Sequence, residues 1–117
     1  MHRFPLTMAI ALTATWLMAA PPSTCGLADD YGRALCAYQK RNFPEAERRF
    51  RAILGHGEHD VTMIHSLYFL ARTEMKVGRY EEASELLVRI YGLDPAFFQD
   101  WNCDFLVSEC RRALGRE

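Results

Sequence analysis

From Asp29 onward, apolar residues recur at the three- and four-residue spacing of a helix face, and no alternating run is long enough for a strand. Tyr31, Ala34, Leu35 and Tyr38 mark the first helix, with Asp29 or Asp30 as its N-cap. The pattern restarts in "NFPEAERRFRAIL". There Pro44 takes the first helical position, where its missing N–H costs nothing, and Glu45 and Glu47 suit the positive end of the helix dipole. Ala46, Phe50, Ile53 and Leu54 form the buried stripe, and Gly55 and Gly57 end it. A third helix runs from Asp60 or Thr62 to Val77, burying Ile64, Leu67, Leu70 and Ala71, with Gly78 as its left-handed stop. The fourth, about Glu81 to Tyr91, buries Ala83, Leu86, Leu87 and Ile90. Asp94-Pro95 opens a fifth stretch, Ala96 to Leu114, carrying Phe97, Phe98, Trp101, Phe105 and Leu106. The expected fold class is all-α.

The helices also repeat. Shifting the second by 37 residues lays it on the fourth: Phe43 meets Tyr80, Glu45 meets Glu82, Ala46 meets Ala83, Phe50 meets Leu87 and Ile53 meets Ile90. The first maps onto the third with a shift of 36, Tyr31 on Leu67 and Ala34 on Leu70, the odd residue being absorbed in the turn. Trp101 lies 34 residues beyond Leu67 and suggests a third, partial copy. A fixed period of this length is the mark of a stacked helical array.

The residues Leu67, Leu70 and Ala71, followed by Gly78, Tyr80, Ala83, Leu87, Ile90 and Pro95, resemble a tetratricopeptide repeat (TPR). In that family the small residue at the position of Ala83 lets two helices approach to about 8–10 Å. The second copy departs from the pattern mainly at Glu74, where the family usually has Tyr, and the first has Arg41-Asn42 instead of the turn glycine. The resemblance implies an α-solenoid of two TPR helical hairpins plus a C-terminal capping helix, with units at about 29–57 and 61–95 and a terminal helix at 96–114. It further implies a non-catalytic scaffold that holds a peptide or partner helix on its concave face. By the family's groove positions that face presents Lys40, His65, Tyr68, Arg72, Met75, Lys76 and Asn102, with Cys36, Gln39, Gln99 and Leu106 beside them. Lys40, Arg72 and Lys76 make it mildly basic, which suits an acidic segment. The Lys/Asn clamp that holds chaperone tails is not reproduced, because Arg72 stands where Asn is needed. Phe97 and Phe98 either seal the open end of so short an array or dock on a partner or a second copy.

Composition refines this picture at its two ends. The formal net charge is −1 with both signs interleaved, which gives no basic face for nucleic acid. Residues 1–28 read differently: His2 and Arg3 precede an apolar stretch from Leu6 to Ala20, and no charged residue follows Arg3 until Asp29. This is the pattern of a secretory signal peptide, or of an uncleaved anchor through residues 4–20, and it places the domain outside the cytoplasm. Ala20 is followed by Pro21, which signal peptidases generally do not accept, so cleavage before Gly26 or Asp29 fits better. In exported bacterial proteins short TPR modules often serve envelope assembly, so the periplasm is the expected place. Of the four cysteines, Cys103 and Cys110 stand seven residues apart, about 10 Å along one helix and too far to bond. Cys36 is expected at the other end of the domain from both, and cleavage after Cys25 would leave three thiols without a partner, so free cysteines are the expectation.

No phosphate loop, nucleophile elbow or isolated carboxylate pair is visible, so neither an enzyme, a cofactor nor a small-molecule substrate is expected. The one metal-like cluster is "GHGEHDVTMIH", with His56 and His59 three apart, and it reads as a polar loop, a metal-binding protein using His56 and His59 being the lesser alternative.

Overall fold

The computed structural model describes residue 25 and residues 29–56 and 61–116. The expected N-terminal signal or anchor segment and residues 57–60, with His59, lie outside them. Among the described residues six helices follow one another: α1 (Asp30–Gln39), α2 (Phe43–Gly55), α3 (Val61–Lys76), α4 (Tyr80–Leu93), α5 (Pro95–Asp100) and α6 (Cys103–Ala113). Among the described residues there is no strand, so the all-α expectation holds.

Local chemistry fixes the helix ends. The Asp29 carboxylate accepts the Gly32 N–H at 2.7 Å, capping α1, and the Asp94 carboxylate accepts that of Phe97 at 3.0 Å, capping α5. The C-terminal ends of α1, α3 and α6 share one device. Arg41, Gly78 and Gly115, at intervals of 37 residues, have φ of 63°, 86° and 73°. The amide after each reaches back five residues, Asn42 to the Ala37 carbonyl at 2.9 Å, Arg79 to Glu74 at 2.8 Å and Arg116 to Arg111 at 2.8 Å. Arg41 thus performs in the first turn the part of glycine in the second. These turns set the register of α1 on α3 at 37 residues rather than 36: Ala34 corresponds to Ala71, and both are fully buried.

Packing follows chain order. α1 lies on α2, α2 on α3, α3 on α4, and α4 on both α5 and α6, while α1 also reaches α3. Ala34, Ala37, Ala46 and Phe50 form one core with Leu70 of α3. Leu67, Ala71, Ala83, Leu87 and Ile90 form the other with Phe97, Cys103 and Cys110. Ala46 and Ala83, matched by the repeat, are both wholly buried, as a close helix approach requires.

Two expectations are corrected. The stretch 96–114 is not one helix but two, broken at Trp101 and Asn102. Asn102 is left-handed at φ 54°, a conformation that asparagine tolerates better than most residues. The bend stacks Trp101 on Phe97, ring centroids 4.7 Å apart, and leaves Phe105 59% exposed. Phe97 is buried and Phe98 half-buried. The second correction concerns the thiols: Cys25 is bonded to Cys36, their Cα atoms 4.8 Å apart, because residue 25 lies alongside α1. Cys103 and Cys110 are free and buried.

Candidate functional site

An open groove of about 540 Å³ lies between α3, the start of α4, and α6. Arg72, Met75 and Lys76 of α3 line one wall, Tyr80 the end, and Phe105, Leu106, Glu109 and Arg112 of α6 the other. Helical spacing explains the walls. Residues 72, 75 and 76 are offsets of three and four on α3, and 105, 109 and 112 repeat the same face on α6.

Three of the seven residues expected on the concave face therefore meet in this groove: Arg72, Met75 and Lys76. Tyr68 is buried one turn earlier, and its hydroxyl accepts a hydrogen bond from Arg72 Nη1 at 2.9 Å. The guanidinium also stands 5.8 Å from the Tyr68 ring centroid. Tyr68 thus positions Arg72 rather than meeting a ligand itself. His65 is half-buried in an aromatic cluster, its ring 5.2 Å from Phe97 and 5.0 Å from Trp101, with Nδ1 2.8 Å from the Val61 carbonyl. It packs α3 on α5. Lys40 lines a separate cavity of about 240 Å³ beside the disulfide, with Arg33, Glu45 and Arg49. Asn102 is exposed at the left-handed bend.

Tyr80 and the Phe105, Glu109 and Arg112 face of α6 were not expected in the groove. Treating 96–114 as one helix turned that face elsewhere, and no proline or glycine at residues 101 and 102 announces the bend. Chemically the groove combines the apolar surfaces of Met75, Leu106 and Tyr80 with the cations Arg72, Lys76 and Arg112. Among the described residues Glu109 is its one carboxylate, and it pairs with Arg112.

A second constellation lies at the junction of α2, α3 and α4, where the sequence showed no carboxylate pair. Glu74 has a side chain with 0% exposure, and its Oε2 is 3.7 Å from Arg51 Nη2 and 3.5 Å from Arg79 Nη1. Arg79 Nη1 also donates to Glu47 Oε2 at 2.6 Å. Burial first, then the hydrogen bond and charge of Glu47, push the Glu74 carboxyl up to about 7 despite the two guanidiniums. Glu47 is held below the usual carboxylate range, first by its hydrogen bond with Glu74 and then by Arg79 and Arg51.

The buried thiols are unsuited to nucleophilic work. Burial, with Asp104 nearby, pushes Cys103 up to about 11, and burial with Glu109 raises Cys110. Among the described residues no group of three or more His, Cys, Asp or Glu side chains could hold a metal ion. The chain matches no family model, no curated protein and no solved structure.

Proposed function

We propose that this chain is a non-catalytic protein-binding scaffold, two TPR-like hairpins closed by the α5–α6 cap, which takes an acidic segment of a protein partner in the groove between α3 and α6. The groove carries this reading. Three cations, apolar side chains and, among the described residues, a single, paired carboxylate line it, a surface complementary to a peptide bearing carboxylates and one apolar side chain. The stacked-hairpin reading is supported by the left-handed turns at intervals of 37 residues and by packing that follows chain order. The outer face of α6 is polar and exposed at Asp104, Ser108 and Arg111, as the face of a capping helix should be.

The place of action is proposed to be extracytoplasmic, which the Cys25–Cys36 bond favours, since such bonds persist in oxidising compartments. The same bond favours a second reading, a membrane-tethered accessory subunit. Cleavage before Gly26 or Asp29 would remove Cys25, whereas an uncleaved anchor through residues 4–20 keeps it. Among the described residues no helix is long and apolar enough to cross a membrane. The mass of the mature N-terminus separates the two readings.

Photo-crosslinkers placed singly at Lys76 and at Val88, exposed on α4 outside the groove, test the binding face. The proposal expects one discrete adduct, from position 76 only, whose partner peptide is acidic. Adducts from position 88 alone, or a basic partner peptide, would overturn it.

A further inference from the structure

We propose that Glu47, Glu74, Arg51 and Arg79 form a proton-operated lock that holds the first hairpin against the second. This goes beyond the groove and does not depend on what the groove binds.

The geometry is a junction of three elements. Glu47 and Arg51 come from α2, Glu74 from the last turn of α3, and Arg79 from the turn that starts α4. Glu74 is enclosed, while Arg51 and Arg79 keep about half of their side chains in solvent (52% and 51%). The two cations are therefore hydrated partners at 3.5–3.7 Å rather than close ones. Glu74 Oε1 is buried and accepts no hydrogen bond from any donor group. Arg51 and Arg79 each pair with Glu47 as well, which brings that second carboxyl beside Glu74. Two carboxyls in that relation are satisfied by one shared proton, Glu74 donating to Glu47, which leaves Glu47 free to hold Arg79. With the proton present, α2 is tied both to α3 and to the following turn. Without it, Glu74 becomes a buried anion beside a second anion.

The direction follows from linkage. A carboxyl whose folded-state affinity for a proton exceeds its unfolded-state affinity stabilises the fold at low pH, and that contribution fades as pH rises from the ordinary carboxylate value of 4.5 through about 7. Glu47 runs oppositely, but its contribution is lost only below 4.5. Between pH 5 and 8 the Glu74 effect is therefore uncovered. The charged groups acting on it from the packed elements are Glu47, Arg51 and Arg79. The turn it grips matters to the groove as well, because Arg79 donates its N–H to the Glu74 carbonyl and Met75, Lys76 and Tyr80 flank these residues in the groove wall.

The test uses the full chain as wild type, Glu74→Gln and Glu47→Gln. The glutamine at 74 keeps the shape and donates to Glu47 without titrating. The side-chain carboxyl of Glu74, followed by carbon NMR, should titrate near neutrality in wild type and move down in Glu47→Gln, where burial alone is left to oppose the guanidiniums. In urea, the wild-type unfolding equilibrium constant should rise on the order of tenfold or more between pH 5 and 8 relative to Glu74→Gln. Amide exchange should show the loss of protection at higher pH spreading from Arg79 into the α2–α3 contact. A Glu74 midpoint at or below 4.5 would overturn the proposal, as would equal pH slopes in the two chains or a loss confined to the turn. If the glutamine variant does not fold, the wild-type carboxyl titration decides alone.

Discussion

At the scale of single residues, the account turns on a few positions where only certain side chains work. Gly78 has φ 86° with nothing within 4 Å of where a Cβ would stand. Gly78→Ala therefore meets no clash, and its cost is left-handed strain less the entropy alanine removes from the unfolded chain. A loss of about 1 kcal/mol in urea denaturation is expected. Arg41 already bears that strain at φ 63°, with its guanidinium 5.5 Å from the Phe43 ring as partial compensation. Ala83 is different: it is fully buried in the α3–α4 core, so Ala83→Leu should lower stability by about 1–3 kcal/mol through overpacking. Calorimetry or denaturant midpoints would check both, and a smaller loss at Ala83 than at Gly78 would contradict the distinction between strain and packing. Glu74 was the residue least legible from sequence. A glutamate in a helix reads as solvated, and the groups that make it otherwise are Glu47 and Arg51, on another helix, and Arg79, across a turn.

At the scale of elements, the sequence made the first four helices plain, because their apolar spacing, Pro44 and Gly78 all agree. The terminal stretch misled because Trp101 continues the apolar stripe that Phe97 begins, so periodicity ran on through a bend made by one left-handed asparagine. The consequence was specific: of the α6 wall only Leu106 was found, while the α3 wall was found whole. The disulfide was missed for a related reason. Cys25 precedes the helical pattern, and spacing says nothing of where such a residue lies relative to α1. Its effect should be local to the first hairpin. Closing a segment of 11 residues by a bond constrains the unfolded chain, so Cys36→Ser should cost about 2 kcal/mol, with lost amide protection greatest in α1. Unchanged protection in α1 after reduction would show that the bond contributes nothing to that helix.

At the scale of the whole molecule, two features stand apart in the fold. The disulfide and Lys40 belong to the first hairpin, whereas the groove is built by α3, α4 and α6. A chain held at its N-terminal end would thus leave the groove open to a partner. Arg72 and Lys76 are the cations brought there by α3, and Lys40, grouped with them by sequence reasoning, is not among its walls. That separation makes the central claim testable by affinity. Once the acidic peptide crosslinked from position 76 is in hand, its Kd should be measured for wild type, Arg72→Glu with Lys76→Glu, and Lys40→Glu. The account predicts a loss of at least about tenfold for the α3 pair, steeper at low salt, and no change for Lys40→Glu. Equal binding by all three chains, or a loss confined to Lys40→Glu, would contradict it.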